Sequence, residues 1–122
     1  MLPRLRSDLL DLMVRATRPG GLAGAELEWD RRAAVTVVLA SGGYPESSSS
    51  GDEISGLDVL PDGIELTHAG TAERGGAIVT AGGRVLNVAA LADDVPAARA
   101  AAYAAADMIA FDGRQLRRDI AA

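Results

Sequence analysis

The run Ala77 to Ala90, AIVTAGGRVLNVAA, constrains this chain more than any other stretch. Two segments rich in Val, Ile and Leu flank paired glycines, so the spacing predicts a β-hairpin that turns at Ala81-Gly82-Gly83-Arg84. Glycine takes positive φ without steric cost, and a turn there leaves the Arg84 guanidinium at the hairpin mouth, free to meet an anion. Arg84, Gly82 and Gly83 are therefore the first candidates for a ligand contact.

The rest of the chain supplies what those strands pack on. Pro3 to Ala16 places Leu5, Leu9, Leu10, Met13 and Val14 on one helical face, with Ser7 as a candidate cap, and Pro19-Gly20-Gly21 ends the helix. An apolar helical face with no partner before it is expected of a chain cut from a larger one. Ala25 to Asp30 alternates apolar and charged residues, as a strand with one wet face does, whereas AVTVVLA (34–40) is nearly all apolar and predicts a central strand buried on both faces. Ser41 to Gly51, SGGYPESSSSG, is a loop by composition, mobile at Ser47 to Ser50. Two further strands, 53–60 and 63–68, are expected to join through Pro61-Asp62-Gly63, with 69–76 as a connection. Asp93-Asp94 then cap an alanine-rich helix from Pro96 to Ala110, narrow enough to lie close to a sheet. The fold class is α+β: a mainly antiparallel sheet of short strands, the alanine-rich helix packed on it and the N-terminal helix at its edge.

Composition excludes several classes of function. A chain of 122 residues with 48% hydrophobic residues can build one core, and without cysteine it has neither disulfide nor thiolate chemistry. A net charge of −5 and 3% aromatic residues argue against a nucleic-acid partner. No apolar run reaches the length of a membrane span, and MLPRLRSDLL lacks the apolar core of a signal peptide, so no membrane partner and a cytoplasmic location are expected. All twelve basic residues are arginine, as coding bias produces.

No catalytic constellation is visible. The single His68 beside a strand end reads as a hydrogen-bonded structural residue, and the carboxylates lack the clustering of a metal site. Ser41-Gly42-Gly43-Tyr44-Pro45 follows a buried strand as an anion-binding glycine loop does, without a Walker lysine or dinucleotide spacing, so Gly42, Gly43 and Tyr44 form a second candidate group. For Arg84, and for Arg114, Arg117 and Arg118, two uses stay open: anion binding, or surface pairing with the seventeen carboxylates.

The order of the pieces resembles a known family. GGYP after AVTVVLAS, then GLD, HAGT, IVTAGGRVLNVAAL, AAYAAADMI and FDGRQLRRDI are similar, from about Trp29 to Ile120, to the C-terminal domain of the phosphoribosylamine–glycine ligases, also called glycinamide ribonucleotide synthetases. Residues 1–24 resemble the end of the ATP-grasp region that precedes that domain, and 25–122 the domain itself. Two positions depart from the family pattern: Ser50 stands where a basic residue usual in the loop would be, and Ala92 where a glycine follows the second strand. The resemblance implies ligation of glycine to 5-phosphoribosylamine with ATP and magnesium, whose ligands in the family lie upstream of this segment. It implies upstream ATP-grasp domains as partners, Arg84 with Gly82 and Gly83 as the holders of the substrate phosphate, and Gly42, Gly43 and Tyr44 as a substrate-site loop. The isolated chain is then expected to have no catalytic residue, metal or cofactor of its own, and to be inactive alone. The alternative is a non-catalytic module that packs on a partner domain or self-associates.

Overall fold

A computed structural model describes all 122 residues. A short 3-10 turn (Leu2–Arg4) leads into α1 (Leu9–Ala16); β1 (Ala33–Ala40), β2 (Ile64–His68), β3 (Thr71–Arg74), β4 (Ala77–Thr80), β5 (Arg84–Ala92) and α2 (Val95–Met108) follow. Two antiparallel sheets form, one of order β1-β5-β2 and one of β3-β4, and α2 lies across β1 and β5, which is the expected α+β arrangement. No helix is long and apolar enough to cross a membrane.

Alternation along the strands decides which face α2 covers. Val35, Val37 and Leu39 pair with Ala90, Val88 and Leu86, and all six are buried beneath α2. The helix contributes Ala98, Ala102, Ala105 and Ala106 to the same core, small side chains that bring its backbone near the sheet. Fully burying a side chain such as Leu39 or Leu86 contributes about 1.5–3 kcal/mol. Asp94 caps α2 by accepting from the Ala97 amide at 2.8 Å.

Three strand expectations are corrected. β1 is an edge strand with one wet face, Thr36 and Val38 being exposed, and β5 is the central one. Residues 25–30 form no strand; they run extended, with one bridge from Trp29 to Leu5. Residues 53–60 contribute only single bridges, Glu53 to Val79 and Ser55 to Ala110, and do not pair with β2. At the N-terminus Asp8, not Ser7, caps α1, while Ser7 Oγ accepts from the Glu28 amide. Asp30 ties the N-terminal arm to the body: its carboxylate accepts from Arg6 at 3.1 Å and from Arg32 at 2.8 Å.

The hairpin prediction is corrected as well. β4 and β5 do not pair with each other; β4 pairs with β3 and β5 with β2, so residues 64–92 make one long bent hairpin. Its tip is Gly75-Gly76, where Arg74 faces Ala77 and both glycines have positive φ (+60° and +85°), as a type I′ turn needs. Gly82-Gly83 is instead the bend halfway along. Between the pairs His68–Leu86 and Thr71–Thr80, residues 69–70 on one arm face residues 81–85 on the other. The longer arm therefore loops out as a bulge at 81–83.

Candidate functional site

The bulge determines what the site offers. Ala69 and Gly70 donate to the carbonyls of Val85 and Arg84, and Ala81 donates to Gly70 at 2.8 Å, which closes the ladder on both sides. The amides of Gly82 and Gly83 are left out of it and donate to no protein group. They are two consecutive donors without a protein partner, next in the chain to a cation.

Arg84 opens β5 on the sheet face that α2 does not cover. It shares that face with Thr36, Val38 and Asn87, and its guanidinium makes no ion pair or hydrogen bond. The other arginines singled out from the sequence are occupied. Arg114 donates to the carbonyls of Ala106 and Ile109 at the end of α2 and pairs with Asp107 at 3.6 Å. Arg118 also meets Asp107, at 2.8 Å, and Arg117 meets Asp119. Hydrogen bonds from Arg118 and Arg117 hold the Asp107 and Asp119 carboxyls below the ordinary range, and the same pairs raise the two guanidinium groups.

The serine-rich loop meets the bulge at one point. The Ser41 amide donates to the Gly83 carbonyl at 2.9 Å, and the Tyr44 ring then lies on Gly83 so closely that a Cβ there would stand 2.5 Å from a ring carbon. Glycine at 83 is required by this contact, not by a positive φ. Tyr44, Gly83 and Arg84 thus share the wall of one open polar cavity with Gly70 and Asn87. Gly82, the preceding residue of the bulge, abuts Gly70. Gly42 and Gly43 are not brought there; Gly42 abuts Gly113, and their carbonyls accept from Ser49 and Ser47 within the loop. Asn87 escaped the sequence reading, although a lone amide within VLNVAALA is the signal that marks it. His68 is hydrogen-bonded to Thr71 at 3.0 Å and stands outside the cavity.

These features define a class: an α+β domain whose open sheet face carries an unpaired cation beside free amides. Residues 34–122 match the family described as phosphoribosylglycinamide synthetase, C domain, and the chain belongs to that family. It is 47% identical over 120 residues to a phosphoribosylamine–glycine ligase of Ralstonia nicotianae, covering 98% of this chain and 28% of that protein. It is 48% identical to the ligase of Neisseria meningitidis serogroup A over 99% of this chain and 29% of the relative. A bifunctional purine biosynthetic protein of Pichia angusta is 44% identical over 99% of this chain and 15% of its own length. The crystal structure of the Thermotoga maritima ligase superimposes with a TM-score of 0.70 at 40% identity, over 83% of this chain and 25% of that one. The chain spans less than a third of each relative.

Proposed function

We propose that this chain acts as the C-terminal part of a phosphoribosylamine–glycine ligase, with residues 1–24 closing an ATP-grasp region and 25–122 forming the domain that follows it. In that reaction ATP phosphorylates the glycine carboxylate, and the amine of 5-phosphoribosylamine attacks the acyl carbon and expels phosphate to leave glycinamide ribonucleotide. No three His, Asp or Glu side chains converge in this chain. Magnesium and ATP belong, on this reading, to the upstream domains of a cytoplasmic enzyme of purine synthesis. The residues here do not change bonds; they grip the substrate.

The observation that carries the reading is the unpaired Arg84 beside the two free amides of the bulge. A planar, permanently charged fork and two N–H donors suit a phosphate dianion. Charged hydrogen bonds of this kind contribute about 1.5–3 kcal/mol each. The phosphate is remote from the reacting amine and is held equally in ground and transition states, so its grip acts on the Michaelis constant. In the complete ligase, Arg84→Ala is expected to raise KM for phosphoribosylamine roughly tenfold to a hundredfold, leaving the KM values for ATP and glycine unchanged. Unchanged phosphoribosylamine dependence in a stably folded variant would remove Arg84 from the site.

The second reading, a packing module, is favoured by α1. Leu9, Leu10, Met13 and Val14 are exposed on it, and Leu12 and Met13 border a shallow apolar cavity with Leu22 and Leu27. In the proposed enzyme this surface packs on the ATP-grasp region; in the isolated chain it drives self-association. Light scattering on the isolated chain is expected to show dimers or larger species, and a monomer at high concentration would count against that packing.

A further inference from the structure

Beside the polar cavity lies a second one of about 430 Å³, within the range of small-molecule sites, and the two share Val38, Tyr44 and Arg84. The walls of this second cavity are of a different kind. Its lining takes Thr36 and Val38 from β1, Tyr44 and Pro45 from the serine-rich loop, and Leu116 and Ile120 from the C-terminal segment. The C-terminal wall is pinned from behind. The Tyr103 hydroxyl donates to the Arg117 carbonyl at 2.6 Å and accepts from the Ile120 amide at 3.1 Å, while Arg99 donates to the carbonyls of Ile120 and Arg118 at 2.9 and 2.7 Å. That wall is therefore in place before any ligand arrives, and its ordering is not charged to binding. Arg117 also borders the slot, but it is held by Asp119, which leaves Arg84 as the unpaired cation on the boundary.

An apolar slot with an aromatic side, opening at a free guanidinium onto a polar cavity, has the complementarity of a planar ring joined to an anion. We propose that the two cavities together bind a nucleoside 5′-monophosphate: the phosphate on Arg84 and the Gly82 and Gly83 amides, the base between Tyr44 and Pro45 on one side and Leu116 and Ile120 on the other. A ribosyl phosphate without a base uses the polar cavity alone. Because both ligands use Arg84, the nucleotide competes with the ribosyl phosphate, a consequence that rests on the proposed function.

Calorimetry on the 122-residue chain with adenosine 5′-monophosphate and with ribose 5-phosphate, both without metal, tests this. The nucleotide is expected to bind at least about tenfold tighter, the factor that one stacked and desolvated ring supplies with room to spare. Thr36→Trp fills the slot from an exposed strand position that favours aromatic residues, so the fold is kept; it should bring the nucleotide down to the affinity of ribose 5-phosphate and leave the latter unchanged. Arg84→Ala should weaken both at least about tenfold. Equal affinities in the unsubstituted chain, or a nucleotide advantage that survives Thr36→Trp, would overturn the nucleotide site while leaving the phosphate grip standing. Tight nucleotide binding indifferent to Arg84→Ala would also overturn it, and binding of neither ligand would sink both readings.

Discussion

Arginine is used in two opposite ways in this molecule, and the contrast between the C-terminal segment and the bulge shows why position outweighs residue type. Arg99, Arg114 and Arg118 are spent on main-chain carbonyls and on Asp107, where they hold the C-terminal segment against α2, and Arg117 is spent on Asp119 within that segment. Arg84 has no such partner, because the long bent hairpin places it on the uncovered sheet face beside a loop-out whose amides the ladder cannot use. The first group is structural cement; the second has no side-chain partner within the chain, which is what the proposed phosphate grip uses. Tyr103 shows the same division. Arg99 lies over its ring at 4.9 Å and Arg118 at 5.6 Å, so even the cation–π contacts of this segment point inward.

Substitutions that separate the two roles sharpen the comparison. The largest expected effect is on Arg84→Ala, which should cost the complete ligase roughly tenfold to a hundredfold in phosphoribosylamine KM while leaving the melting temperature within a degree or two, since nothing in the chain bonds to its side chain. Arg114→Ala should do the reverse. It strips two carbonyls at the end of α2 of a mostly buried charged donor, and denaturant unfolding should show a loss of about 2–3 kcal/mol with unchanged substrate dependence. Tyr103→Phe should cost about 1–2 kcal/mol by removing both hydrogen bonds to the C-terminal wall, again with KM unmoved. Arg117→Ala, whose partner Asp119 is well exposed, should change stability by less than about 1 kcal/mol. An Arg114→Ala or Arg117→Ala variant that lost substrate affinity without losing stability would collapse the distinction.

Acid titration addresses the other tether. Hydrogen bonds from Arg32, and then from Arg6, hold the Asp30 carboxyl well below the ordinary carboxylate range. A group whose folded pKa is depressed contributes stability above its unfolded value, near about 3.9, and loses that contribution as pH falls toward the folded one. Unfolding free energy should therefore decline below about pH 4, with Asp107 and Asp119 acting in the same direction. Asp30→Asn should be less stable at pH 7 and show a shallower decline between about pH 5 and 2. A parallel decline in the variant would mean that Asp30 does not couple the N-terminal arm to the fold.

How much of this was legible in the sequence differs from element to element. The alanine-rich helix and its Asp94 cap follow from local chemistry, since a capping carboxylate and a run of strong helix formers need no distant partner. The hairpin tip did not. Gly75-Gly76 and Gly82-Gly83 are the same dipeptide between similar flanks, and only the register of β2 and β3 against β4 and β5 makes one a turn and the other a bulge. β1 reads as a doubly buried strand because Val38 is apolar, yet Val38 lies on the open face and borders both cavities. At the candidate site, Arg84 and Tyr44 stand out by residue type next to glycines. Their meeting over Gly83 depends on a hydrogen bond spanning 42 positions, and the Leu116–Ile120 wall on side chains of α2, which no local pattern encodes.

The central claim is that the bulge amides and Arg84 receive a phosphate together. Amide NMR of the isolated chain during titration with ribose 5-phosphate tests it most directly. The account predicts that the Gly82 and Gly83 amide protons move downfield in a saturable way, that the Arg114 and Arg117 amides stay still, and that Arg84→Ala abolishes the shift. Movement at the C-terminal arginines with Gly82 and Gly83 unmoved would contradict it.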